Sequence, residues 1–355
     1  MRLSLLFANL AIAVAAANQT AANIYVSSYG GYVFSINVAN DKRRMLYCFD
    51  EGVFAANGSL SSYSTSSTGS LTLEERRKIP SGPSAAVLWG SGAQKTLGIS
   101  HYNGSAVTVG NTQENGVVTP AEQLFFYKDD PGSNPRQTTP EQHHIVLDPT
   151  GQFVLVPAFG LDELQVFKIN GSSIQQLEST KVASGSGPRH GVFWSPNWSN
   201  QTENLYFLLL AGLTSALNTY KVSYSDTGMS FSEVDVTTSY GTAPVPMDNY
   251  AAEIAVSPDN RFVVVSNRNG TAIAHDSLNY GSGVTEFWDR LSSFEPMSNG
   301  TPVLKQMVLA GGRYPRNFAF NKVVIAERNI ETGVFGDILS NITVIGEPTC
   351  VVWDD

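Results

Sequence analysis

A repeat constrains this chain more than any other feature. HHIVLDPTGQFVLVPAFGLDELQVFKI runs from His143 to Ile169, PRHGVFWSPNWSNQTENLYFLLLAGLTSALNTYKV from Pro188 to Val222, and YAAEIAVSPDNRFVVVSNRNG from Tyr250 to Gly270. Each opens on polar residues, runs as an aliphatic strand, turns at a Pro-containing step, runs a second strand and ends in small residues. YPRNFAFN, from Tyr314, begins another copy, and KTLGISHYNGSAVTV, from Lys95 to Val109, matches the second half of an earlier one. No segment sustains a 3.6-residue apolar period, so the chain is predicted to be all-β. One such unit, a hairpin with an outer strand or two, cannot bury both its faces. Radial packing of copies buries them and leaves only short edges. The 355 residues, less a 17-residue leader, leave 338, about 48 for each of seven units, which is the size of a propeller blade. The predicted architecture is therefore a seven-bladed β-propeller forming a single domain over residues 18–355. A sandwich or jelly roll is the runner-up, and neither would require the repeat.

One copy is abnormal. After RNFAFN the chain passes directly to KVVIAERNIETG, with no room for the Pro/Gly turn and second strand of the other copies. Either the last blade is built without that strand or a segment has been lost from the sequence. A missing strand would expose a sheet edge.

The N-terminus, MRLSLLFANLAIAVAAANQT, has one Arg, an apolar run from Leu3 to Val14 and then small residues, the pattern of a secretory signal over residues 1–17. The run is shorter than the ~20 apolar residues of a membrane span. Sequons at Asn57, Asn103, Asn170, Asn197, Asn269, Asn299 and Asn341, with others at Asn18 and Asn200, fit a secreted, extracellular or cell-wall glycoprotein. Two cysteines, Cys48 and Cys350, lie near opposite ends. In an oxidising compartment such a pair is expected to bridge; two buried free thiols are the alternative. The net charge is −9 with no dense Lys/Arg cluster, which argues against a nucleic-acid partner.

The copies resemble the seven-bladed propeller lactonases, which include bacterial-type 6-phosphogluconolactonase and fungal carboxy-cis,cis-muconate cyclase. HHIVLDPTGQFVLVPAFGLDELQVF is similar to the family's His-x-(aliphatic)3-Asp-Pro-x-Gly strand pair, GSGPRHGVFWSP to its Gly-Pro-Arg-His turn and strand, and AAEIAVSPDNRFVVVSNR to its Glu-Ile … Ser-Asn-Arg pair. PTCVVW, near the C-terminus, resembles the closing strand of the last blade. The resemblance runs from about residue 24 to the end and is strongest over 140–320; with its sequons the chain is most similar to extracellular fungal members. It implies that His143 takes the functional slot and Arg189 faces the ligand, with His190 nearby at the mouth. Strand alternation is expected to send His144 away from His143, and His190 away from Arg189.

Arg189, Arg268 in SNR and Arg316 in YPR begin or end strands of different copies. Convergence of these residues at one mouth, in a chain of negative charge, would point to a small anionic ligand, a carboxylate or a lactone, because the guanidinium fork binds two oxygens. Blade-to-blade salt bridges are the plainer role for each. Glu253 is the candidate acid, to orient an Arg or pass a proton. For the cyclase the resemblance implies attack by a substrate carboxylate on a conjugated double bond, Arg holding the enolate-like charge while a general acid delivers a proton; lactone hydrolysis would use the same anion-binding residues and an activated water.

The chain also departs from the family. Ala211 and Gly212 stand where members place a Glu, and Ala158 where they place an Asp. No metal spacing, nucleophile elbow or phosphate loop is present, and no cofactor is implied. His101 and His275, in turns, read as structural or surface residues. Two functions follow: a cyclase-like or lactonase-like enzyme, or a catalytically impaired propeller acting as an extracellular binding or cell-surface antigen protein.

Overall fold

The computed structural model describes residues 45–52, 55–66, 70–91, 94–197, 200, 202–225, 228–270, 289–310 and 313–318 throughout, and elsewhere the backbone of the strands Ile12–Val14, Asn23–Ser28, Val33–Ile36, Ile273–Asp276, Thr285–Trp288, Phe318–Phe320, Ala326–Arg328, Phe335–Ile338 and Pro348–Asp354. Every regular element among them is a strand. Two compact units emerge: residues 42–236, and residues 1–41 with 237–355.

Within residues 42–236 the repeat folds as the sequence predicts, one antiparallel sheet per copy with strands in chain order. Pro83–Trp89, Thr96–His101, Ala106–Asn111 and Gln123–Phe126 form one sheet, and Pro188–Trp194, Tyr206–Ala211, Ala216–Ser225 and Gly228–Thr238 another. Between them in the chain lies the sheet of Val146–Leu147, Phe153–Ala158, Glu163–Asn170 and Ser173–Gln176, joined by Thr180–Lys181. Met45–Asp50, Gly58–Thr65 and Leu71–Ile79 make a three-stranded sheet.

The core lies between sheets, and strand periodicity explains it. In FVLVPA, Val154 and Val156 pack with Trp89, Val107 and Val109 of the preceding sheet, while Phe153 and Leu155 pack with Phe207 and Leu209 of the following one. Successive side chains leave a strand on opposite faces, so a wholly apolar run serves two interfaces. Gly191 is required by this packing: a Cβ there would meet the Phe207 ring at 2.3 Å.

In the second unit, Tyr250–Val256, Val263–Arg268, Arg290–Pro296 and Pro302–Leu309 form a four-stranded sheet, with Ile273–Asp276 and Thr285–Trp288 as a separate hairpin. Pro348–Asp354 pairs antiparallel with Asn23–Ser28, which also pairs with Val33–Ile36, so the two ends of the chain share a sheet. The abnormal copy carries a surprise. Phe318–Phe320 does not pair with the next strand in the chain, Ala326–Arg328. Ile12–Val14 lies between them, parallel to both. Residues read as part of a leader thus occupy the slot of the strand that the sequence lacks.

Candidate active site

A shared irregularity places the polar residues. In each of four sheets one extra residue sits near the start of the first strand or, in the sheet of Val146–Leu147, just before it. Pro83 pairs with His101 but Ala85 with Ser100, leaving Ser84 as the extra residue. Pro188 pairs with Ala211 but His190 with Leu210, leaving Arg189. Gln142 bridges to Ala158 and Val146 pairs with Leu155, so residues 143–145 face only Val156 and Pro157. Ala251 pairs with Asn267 and Ile254 with Val265, so Ala252 and Glu253 face Ser266 alone. Such bulges re-aim side chains. Counted from the last regular pair, Ser84, His143, Arg189 and Ala252 share one slot, and Ala85, His144, His190 and Glu253 share the next. The YPRN run assigns Arg316 and Asn317 to the same two slots by sequence.

His190 touches both His143, with ring centroids 5.0 Å apart, and His144, stacked at 4.4 Å and 13° between planes. Residues 143–145 precede the paired strand, so period-two alternation does not govern them. Nδ1 of His144 accepts a bond from the Gly191 amide at 3.4 Å, which puts the proton of the neutral ring on Nε2.

His143, Arg189 and His190 come together in the first unit, each only 6% exposed. Two aromatic residues complete their surroundings. Tyr102 meets His143 edge-on at 5.3 Å and Phe159 at 5.7 Å. The register puts Tyr102, Phe159, Gly212 and Arg268 in one place at the far end of the second strands; the motifs marked Arg268 and Gly212 there but not Tyr102 or Phe159. Burial, reinforced by the nearby Glu141 carboxylate and partly offset by Arg189, pushes the Tyr102 pKa up to about 12. Tyr102 therefore keeps its proton at neutral pH and is a hydrogen-bond donor. Burial also raises the pKa of Glu141, against hydrogen bonds from Thr138 and Tyr102. Gly212 lets Arg189 lie close: a Cβ at that position would stand 3.0 Å from the Phe159 ring and 3.2 Å from Cδ of Arg189.

Glu253, Arg268 and Arg316 belong to the second unit. Oε1 of Glu253 accepts from the Ile254 amide at 3.0 Å and Oε2 from Nδ2 of Asn317 at 2.6 Å. Both oxygens accept, which suits a carboxylate that orients neighbours better than a proton donor. Arg268 donates to the carbonyls of Tyr250 and Ala251, both at 3.4 Å. Arg316 is half-buried directly after Pro315.

Cys48 is a half-buried free thiol, and the side chain of Cys350 lies outside the described residues. Burial pushes the Cys48 pKa up to about 11. Asn57, Asn103, Asn170, Asn200 and Asn299 are exposed and Asn197 half-buried. Asn269 is engaged, donating to the Asp248 carbonyl and accepting from the Tyr314 hydroxyl at 2.8 Å. Asn341 lies outside the described residues, as does the side chain of His275. Among the described residues no cluster of three or more His, Cys, Asp or Glu is placed to hold a metal, and no helix is long and apolar enough to cross a membrane.

Known proteins share this architecture. The family described as lactonase, 7-bladed beta-propeller, matches residues 35–353. The chain belongs to this family, and its sheets are blades of a seven-bladed β-propeller. A protein of Arthroderma benhamiae named "Probable 6-phosphogluconolactonase" is 23% identical over 315 residues, 87% of this chain and 77% of the relative. The 6-phosphogluconolactonase of Bacillus subtilis is 24% identical over 332 residues, 88% of this chain and 84% of the relative. Among solved structures, a periplasmic gluconolactonase of Pseudomonas aeruginosa superposes with a TM-score of 0.74 at 18% identity, covering 94% of this chain and 99% of its own.

Proposed function

We propose that this chain is a secreted glycoprotein enzyme that opens or closes the lactone ring of a small carboxylated substrate, with Arg189, His143, His190 and Tyr102 as its working residues. The observation that carries this reading is the buried group of Arg189, two imidazoles and a protonated phenol in one aromatic-walled place. A buried guanidinium gains most from an oxyanion it can chelate. In the hydrolytic direction His143 takes a proton from water as the water oxygen bonds to the lactone carbonyl carbon. Arg189 holds the charge that develops on the carbonyl oxygen, while Tyr102, whose hydroxyl donates to Glu141, packs against His143. The ring C–O bond then breaks, and the proton returns to the departing alkoxide. In the cyclase direction a substrate carboxylate adds to a conjugated double bond, Arg189 holds the enolate-like charge, and His143 relays a proton from solvent to the neighbouring carbon. Relatives named 6-phosphogluconolactonase support the hydrolytic direction. The leader-like N-terminus and the exposed sequons support an extracellular location.

The second reading, a propeller that binds a small anion without turnover, is favoured by the absence of an acid at Ala211 and Gly212 and by Glu253 having both oxygens occupied as acceptors. One experiment separates the two. Purified protein is given glucono-1,5-lactone, its 6-phosphate and 3-carboxy-cis,cis-muconate, with acid release and loss of diene absorbance followed. Loss of a general base or an oxyanion donor typically costs ~10²–10⁴-fold, so Arg189→Ala and His143→Ala should each lower kcat/KM by that order. Rates equal to those of the Arg189→Ala, His143→Ala double variant on every substrate leave only the binding reading.

A further inference from the structure

The residue two places before Ser84, His143, Arg189 and Arg316, though not before Ala252, has an unusual backbone. Gly82, Glu141, Gly187 and Tyr314 precede Ser84, His143, Arg189 and Arg316 by two, and their φ angles are 65°, 53°, 62° and 54°. Glycine adopts this left-handed conformation readily; Glu and Tyr do so at a cost that the surroundings must offset. In three of the four, a side chain from the preceding sheet captures the backbone N–H of that residue. Oγ of Ser105 accepts from the Glu141 amide at 3.4 Å. Oδ1 of Asp162 accepts from the Gly187 amide at 3.0 Å. Oδ2 of Asp289 accepts from the Tyr314 amide at 2.7 Å. Ser105, Asp162 and Asp289 are all buried and occupy one place in the repeat, immediately before the third strand of their sheet.

The Asp162 anchor is the most developed. Its carboxylate also accepts from the Gly185 amide at 2.6 Å, from the Ser186 hydroxyl at 3.4 Å and from Nε2 of Gln137 at 2.8 Å. The same Nε2 donates to the Phe159 carbonyl at 2.8 Å. One buried carboxylate thus gathers the GSG turn that delivers Arg189 and the loop that carries Phe159. We propose that Asp162 and Asp289 are positioning residues, each setting from the preceding sheet the backbone that aims the arginine of the next, Arg189 and Arg316. The inference rests on the proposed role of these arginines in binding an anionic substrate. It assigns Asp162 and Asp289 no contact with that substrate.

The test uses the full chain with Asp162→Ala and Asp162→Asn. Three quantities are read: amide hydrogen exchange of peptides spanning 184–191, phenylglyoxal modification of Arg189, and kcat and KM on glucono-1,5-lactone. In Asp162→Ala, exchange over 184–191 and Arg189 modification should each rise tenfold or more. Exchange over 206–225 should stay at the wild-type rate, and KM should rise at least tenfold with a smaller change in kcat. Asp162→Asn, of the same shape but with one acceptor oxygen left, should fall between and decides the matter if the alanine variant does not fold. Unchanged exchange and Arg189 reactivity in the variants overturn the proposal, as does a rise shared equally by the whole sheet. A wild-type protein without turnover removes the proposed function and leaves exchange and modification to decide the positioning role.

Discussion

His101 stands at the end of Thr96–His101 with no exposed surface, its Nδ1–H donating to the Pro80 carbonyl at 3.0 Å and its Nε2 accepting from the Thr108 hydroxyl at 2.8 Å. Burial lowers its pKa to about 4, against the Pro80 hydrogen bond. The unfolded chain takes up a proton near pH 6.5 and the folded chain near 4, so between these values the unfolded state holds more protons and stability is lost as the pH falls. Urea unfolding at pH 7 and at pH 4.5 should show a loss of about 3 kcal/mol at most from this group, since each tenfold difference in proton affinity between the two states is worth about 1.4 kcal/mol. His101→Asn should flatten that slope, because Asn267 fills the equivalent slot and bonds to the Ser292 hydroxyl at 3.2 Å; an unchanged slope would assign the loss elsewhere. The same slot revises the place of the missing family acid. Ala211 shares it with His101 and Asn267, whose side chains are committed to bonds with Pro80 and Thr108 and with Ser239 and Ser292, whereas Gly212 is the position beside Arg189. Sequence showed that a family acid was absent. Only the register showed which of two adjacent positions faces the arginine.

The strand pairs themselves were legible because each is two apolar runs separated by a polar, proline-bearing turn, and the turn chemistry explains their regularity. In DPTGQF, Asp148 accepts from the amides of Thr150, Gln152 and Phe153 at 3.0, 2.9 and 2.7 Å and from the Tyr224 hydroxyl of the following sheet at 2.8 Å. In SPDNRF, Ser257 plays the corresponding part for the Phe262 amide at 3.0 Å. Removing a buried acceptor strands several donors, each costing about 1–3 kcal/mol when unsatisfied. Asp148→Ala should therefore destabilise by about 3 kcal/mol or more, and Tyr224→Phe, which breaks only the link between sheets, by about 1 kcal/mol. Chemical denaturation distinguishes them; equal effects would mean that the turn stands without its aspartate. The bulges were not legible. A single extra residue leaves the apolar pattern of the strand intact and changes only where its first polar residues point.

For the molecule as a whole, the repeat, the number of blades and the abnormal last copy could all be read from sequence, while the occupant of the empty slot could not. Ile12–Val14 was read by composition as part of a leader, and composition says nothing about pairing with Phe318–Phe320 and Ala326–Arg328. Protein lacking residues 1–17 should melt at a lower temperature than the full chain, since two strands lose a ladder; mass spectrometry of the mature N-terminus, with calorimetry of both forms, checks this, and equal melting would make the strand dispensable. The anchors at Ser105, Asp162 and Asp289 have a consequence for engineering at this scale. The segment that sets a mouth residue begins at the third strand of one blade and ends at the first strand of the next, so the functional cassette is out of phase with the structural one. Exchanging a whole blade for that of a relative would leave its own mouth residue under the old control and hand new control to its downstream neighbour. A graft cut from Ser105 to His143, or from Asp162 to Arg189, would transfer a mouth residue together with its aim.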